Sequence, residues 1–114
     1  MNTLEQYIYC LNENQQQIVF AIISDIKKHD NVQEIMLRNI IMYRFSQWWI
    51  YINCHKRKDV VLGFGRGNKM VLENPMLKLI FDEVKIVVAK VKIQNIEDYN
   101  QKSISKLIDL CRQQ

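Results

Sequence analysis

The chain has 114 residues, 48% of them hydrophobic and 25% charged, with a formal net charge of +4. That length supports one domain around a single core, and the composition excludes extended disorder. The modest positive charge permits contact with anions without marking a dedicated nucleic-acid binder, and no apolar run approaches the roughly 18 residues that span a bilayer.

The N-terminus lacks both the basic start and the apolar centre of a signal peptide. Thr3 and Gln6 have capping-box spacing and open a short helix with Leu4, Ile8 and Leu11 on one face. Asn12 and Gln15 repeat the signal and predict a second helix to about residue 28. Its core stripe is Ile18, Val19, Ile22, Ile23 and Ile26, with Ser24, Asp25, Lys27 and Lys28 facing outward. His29 to Asn31 end it. The stretch IMLRNIIMYRFS then reads as one strand or extended segment leading into a turn near Ser46–Gln47.

QWWIYINCH is dense in aromatic and β-branched residues and reads as a strand. Period two places Trp48, Ile50, Ile52 and Cys54 on one face and Trp49, Tyr51, Asn53 and His55 on the other. KRKD is a polar turn and VVLGF the returning strand of a hairpin. Pro75 opens a short helix with Asn74 as its cap. EVKIVVAKVKI is a further strand, with Val87, Ala89, Val91 and Ile93 on one face and Lys90 and Lys92 opposite. Ile104, Leu107, Ile108 and Cys111 mark a closing amphipathic helix. Residues 1–114 therefore form a single α+β domain: N-terminal helices and a C-terminal helix on a mainly antiparallel sheet.

All three glycines fall in LGFGRGNK. Gly63, Gly65 and Gly67 have neither the GxxxxGK[ST] spacing of a P-loop nor the GxGxxG of a dinucleotide fingerprint. They predict a turn or bulge after a strand, where glycine permits positive φ and close backbone approach. Arg66, flanked by glycines, is displayed for a carboxylate or phosphate, and Lys69 stands nearby.

The stretch YINCHKRKDVVLGFGRGNKMVLENP, with TLEQYI at the N-terminus and IED before the last helix, resembles the YdhG-like family of small bacterial domains. The matching pieces are Thr3–Ile8, Trp48–Lys56, Leu62–Gly67, Pro75, Val91–Ile93 and Ile96–Asp98. The resemblance implies a two-layer α+β sandwich akin to frataxin. One branch of the family implies an iron chaperone that delivers iron for cofactor assembly. The chain departs from the family by lacking a proline in RNIIMYRF and by carrying Ala89 and Lys90 where members often have an Arg-His pair. The tract after Pro75 also lacks the family's glycine-rich character.

Iron delivery needs clustered carboxylates, because iron prefers oxygen ligands on an acidic face. Glu5, Glu13, Asp25 and Asp30 are interspersed with lysines, and Asp82–Glu83 and Glu97–Asp98 are adjacent pairs whose members point apart. His29 and His55 have no zinc-type spacing to a cysteine. Cys10, Cys54 and Cys111 form no CxxC and read as small core residues in a reducing, cytoplasmic setting. No Ser sits in a nucleophile elbow. The cluster His55 to Lys58, next to Trp49 and Tyr51, has the ingredients of nucleic-acid binding, but a solvated hairpin tip is the preferred reading. An open sheet face with exposed aromatics fits a ligand, a protein partner or a homodimer.

These features point to a small non-enzymatic binding module for an unidentified anionic ligand or protein partner. Its expected site joins the aromatic hairpin (Trp49, Tyr51, His55) to the glycine turn (Gly65, Arg66, Gly67, Lys69). A frataxin-like iron-binding protein is the alternative, and nucleic-acid binding through the hairpin tip a weaker one.

Overall fold

The computed structural model describes residues 3–28, 31–45 and 47–113; His29, Asp30 and Ser46 lie outside them. Helix α1 spans Thr3–Tyr9, and the capping box expected of Thr3 and Gln6 lies outside what the described residues show. Helix α2 (Glu13–Ile26) begins as its sequence predicts. The Asn12 side chain accepts from the Gln15 N–H at 2.7 Å, and the Gln15 side chain accepts from the Asn12 N–H at 3.3 Å. This reciprocal cap satisfies two donors that the first turn otherwise leaves unpaired. Gln15 is itself buried, and its amide nitrogen lies within hydrogen-bond distance of the carbonyls of Cys54, Arg57 and Asp59. The cap of α2 thereby also holds the β3–β4 turn defined below.

The segment expected as one strand folds into two. β1 (Gln33–Leu37) and β2 (Ile40–Phe45) form an antiparallel hairpin, with Arg38 in the left-handed region at φ 48°. β3 (Trp48–Asn53) and β4 (Val60–Gly65) continue the meander, as expected. The chain then leaves the sheet through α3 (Gly67–Glu73), absent from the sequence expectation, and a 3-10 turn (Pro75–Leu79). Pro75 opens that turn as expected, but the Asn74 side chain makes no capping bond. The expected strand over 83–93 also divides, into a two-residue β5 (Glu83–Val84) and β6 (Val88–Ile93). Val87 lies in the bend between them, 68% exposed, rather than on the core face. Helices α4 (Ile96–Gln101) and α5 (Ile104–Arg112) close the chain.

The strand order is β1-β2-β3-β4-β6-β5, every pair antiparallel. One face carries Ile41, Tyr43, Trp48, Ile50, Ile52, Leu62, Phe64, Ala89, Val91 and Ile93. It packs with Ile18, Ile22 and Ile26 of α2 and Ile104, Leu107 and Ile108 of α5 in one core. The fold is therefore α+β, with its helices packed against an antiparallel sheet. Asp25, expected outward, is buried under Tyr99, whose hydroxyl donates to its carboxylate, and Lys28 binds the same carboxylate at 2.9 Å. A shorter β5 leaves part of the β6 edge open, and side chains close it. The Asp82 carboxylate accepts from the Lys92 N–H at 2.6 Å, and the Lys102 ammonium donates to the Lys92 carbonyl at 2.7 Å. Charged groups on edge atoms block pairing with a foreign strand.

Candidate functional site

Residues that alternate with the core-facing ones form the second face of the sheet, and none of them belongs to the core cluster. Cross-strand pairing sets Arg44 beside Trp49, and sets Met42, Tyr51, Gly63, Lys90 and Glu83 in one row. This is the face with Trp49 and Tyr51; Trp48 and Ile50 are in the core.

The glycines do something other than turn the chain. None has positive φ, and Gly63 and Gly65 lie within β4. A Cβ at Gly63 would stand 2.1 Å from Tyr51 Cε1, and one at Gly65 would stand 2.3 Å from Trp49 Cε2. The two rings thus occupy space that side chains on β4 would fill, lying across its backbone. Their planes agree within 22° and their centroids are 5.8 Å apart. The glycines beneath them are two residues apart, about 6.6 Å along a strand. The rings therefore lie near-parallel and offset from one another over β4, half-buried, as a stepped pavement. Gly67 serves a different need: a Cβ there would stand 2.2 Å from the Ala89 Cβ, so it brings α3 onto β6.

The left-handed residue of this segment is Arg66, at φ 68° and ψ 15°. Its carbonyl accepts from the N–H groups of Lys69 and Met70 at 3.0 and 3.2 Å, which makes it the cap of α3. Its side chain makes no capping bond. The left-handed region costs an L-residue about 1–2 kcal/mol, so the backbone is held there by its neighbours, and strained residues of this kind cluster at functional sites.

A shallow pocket of about 510 Å³ lies between Met42, Arg44, Gln47, Trp49 and Arg66. A second, of about 430 Å³, shares Gln47, Trp49 and Arg66 and extends to Lys69, Leu72, Ile86 and Val87. No carboxylate lines either one. Among the described residues, none forms an ion pair with Arg44, Arg66 or Lys69. Leu72 and Ile86 are 79% and 86% exposed at the rim.

Of the expected site, Trp49, Gly65, Arg66, Gly67 and Lys69 come together at this end of the sheet. Tyr51 adjoins them in mid-sheet, facing a polar hollow with Asp82, Glu83, Lys90 and Lys92. Burial first, and then the Glu83 charge, push its phenol above the ordinary range. His55 is not part of the group. It sits at the opposite end of the face with Leu37, Arg38 and Asn39, and its N–H donates to the Asn53 side chain at 3.0 Å. The basic hairpin tip is likewise remote from Trp49, which lies at the other end of β3, and Arg57 is tied to Asp59 at 2.6 Å.

Sequence reasoning missed Arg44 and Gln47. The turn near Ser46–Gln47 held the signal, because a tight hairpin there sets Arg44 opposite Trp49.

Cys10 is exposed rather than in the core; Cys54 and Cys111 are buried. Burial pushes the Cys54 thiol up to about 11 and the Cys111 thiol up to about 12, which keeps both neutral and weakly nucleophilic. Among the described residues no group of three or more His, Cys, Asp or Glu is placed to hold a metal ion. No helix among them is long and apolar enough to cross a membrane. No protein-family model, curated protein or solved structure matches the chain.

Proposed function

We propose that the protein is a non-enzymatic binding module that takes an anionic ligand on the open face of its sheet, at the end formed by Trp49 and Arg66. One observation carries this reading: Arg44, Arg66 and Lys69 surround the Trp49 indole, and no carboxylate among the described residues neutralises them. A guanidinium presents a planar fork of donors that matches phosphate or carboxylate oxygens. The indole offers a π-face to a planar or apolar part of the same ligand. Neutral thiols, and pockets lined without histidine or carboxylate, supply no nucleophile and base for chemistry at this end.

A thermal-shift titration of wild type, Arg66→Ala and Arg44→Gln with inorganic phosphate, nucleoside monophosphates and divalent and ferric metals tests it. A ligand that binds only the folded state raises the melting temperature as its concentration passes the dissociation constant. The expected result is stabilisation by an anion in wild type that both substitutions abolish. Stabilisation by iron alone, indifferent to both, would replace this reading with the metal-handling one.

A further inference from the structure

Resting on the reading above, we infer that the anionic occupant is single-stranded nucleic acid, with two successive bases on Trp49 and Tyr51. A small ligand wants a concavity that buries most of its surface, and the open, shallow pocket at Arg44 and Arg66 does not enclose one. A polymer needs no enclosure, because its affinity accumulates along an exposed track.

The pavement has the right form for such a track. Two near-parallel, offset rings with centroids 5.8 Å apart offer aromatic faces in a stepped array on which bases of an extended strand can stack. Flat rings pinned over Gly63 and Gly65 are pre-oriented, so little side-chain freedom is lost when a base settles on them. Basic groups lie at both ends. Arg44 and Arg66 stand beside Trp49 with no carboxylate partner among the described residues, and Lys90 and Lys92 lie beyond Tyr51. Asp82 and Glu83 temper the Tyr51 end, where Glu83 pairs with Lys85 and Lys90. The backbone is therefore gripped at the Trp49 end. A duplex hides its base faces and cannot stack on such a surface, so the preference is for single strands.

The test is fluorescence anisotropy with labelled oligo-dT and oligo-rU octamers and a blunt duplex of the same length, at two salt concentrations. Trp48 is buried and Trp49 half-buried, so quenching of tryptophan emission on binding reports Trp49. The octamers are expected to bind at least about ten-fold tighter than the duplex and to weaken with salt. Trp49→Ala should lose about ten-fold or more, while Trp49→Phe, which keeps a flat ring over Gly65, should lose far less. Arg44→Gln, which leaves that ring in place, should flatten the salt dependence. Equal binding of duplex and octamer, or octamer binding indifferent to Trp49→Ala in a variant with wild-type circular dichroism, would overturn the inference. If octamers bind no tighter than a nucleoside monophosphate whose binding still needs Arg66, the broader anion site stands and the nucleic-acid reading falls. If no anion binds at all, both fall.

Discussion

At Arg66 a single side chain carries two loads that substitution separates. Its backbone sits at φ 68°, where glycine is at ease and an L-residue is strained, yet its neighbours Gly65 and Gly67 do not take that conformation. Arg66→Gly relieves the strain and removes the guanidinium; Arg66→Ala removes the guanidinium and keeps the strain. Arg66→Gly should therefore be more stable than Arg66→Ala by about 1 kcal/mol, some degrees in melting temperature, while both lose the anion. Equal stability of the two would mean that the backbone relaxes once the arginine is gone. Asp25 and Tyr99 supply a second residue-scale test. Burial opposes ionisation of Asp25, but hydrogen bonds from Tyr99, Lys28 and Ser105 outweigh it and hold the carboxyl below its ordinary value of 3.8. A group whose folded pKa is depressed contributes fully above the unfolded value and loses that contribution as pH falls through the folded one. The stability gap between wild type and Asp25→Asn, read from urea midpoints, should be widest near neutral pH and close below about pH 4. At neutral pH, Tyr99→Phe should cost about 1–3 kcal/mol, because it removes a donor from a buried carboxylate.

Between elements, two of the glycines make opposite predictions under the same change. At Gly67 the obstacle is Ala89, whose Cβ is fixed to β6 and whose backbone nitrogen follows at 3.1 Å, so a methyl group forces α3 away from the sheet. Gly67→Ala should cost about 2–3 kcal/mol, and Ala89→Gly in the same chain should recover part of it. At Gly63 the obstacle is the outer end of the Tyr51 ring, which can swing into solvent. Gly63→Ala should cost about 1 kcal/mol or less in urea unfolding, yet lift the ring from the pavement and weaken ligand binding. This dependence on a neighbouring strand is also why the site was only half legible. Periodicity along one segment revealed the α2 stripe, the two faces of β3 and the closing helix, because each is set by local spacing. The β1–β2 turn at Arg38–Asn39 carries no glycine, so one extended segment was expected where two strands lie. The glycines of β4 looked like a turn because their real partners, Tyr51 and Trp49, are reached only through the β3–β4 register. Asp25 looked solvated because Tyr99, which covers it, is 74 residues away in sequence.

For the molecule as a whole, a net charge of +4 says little until the paired charges are set aside. Lys27, Lys28, Lys85 and Lys102 each face a carboxylate within 3.2 Å, and Arg57 faces Asp59 at 2.6 Å. Surface pairs of this kind add little stability but cancel much of each other's field beyond a Debye length. Among the described residues Arg44, Arg66 and Lys69 have no such partner, so three uncompensated charges gather beside Trp49. The hairpin tip, with Lys56, Arg57 and Lys58, looks equally basic in sequence, yet Asp59 offsets part of it, and the hollow that Arg57 shares with Tyr51 also holds Asp82 and Glu83. Two triple reversals to glutamate change the net charge equally, one at Lys56, Arg57 and Lys58 and the other at Arg44, Arg66 and Lys69. If retention on a polyanion column follows net charge alone, both variants elute at the same reduced salt. If the field of the open face governs, the second elutes in the flow-through while the first still needs added salt to leave the column. The second outcome is expected, because a polyanion senses where unpaired cations cluster on a surface rather than how many the chain contains.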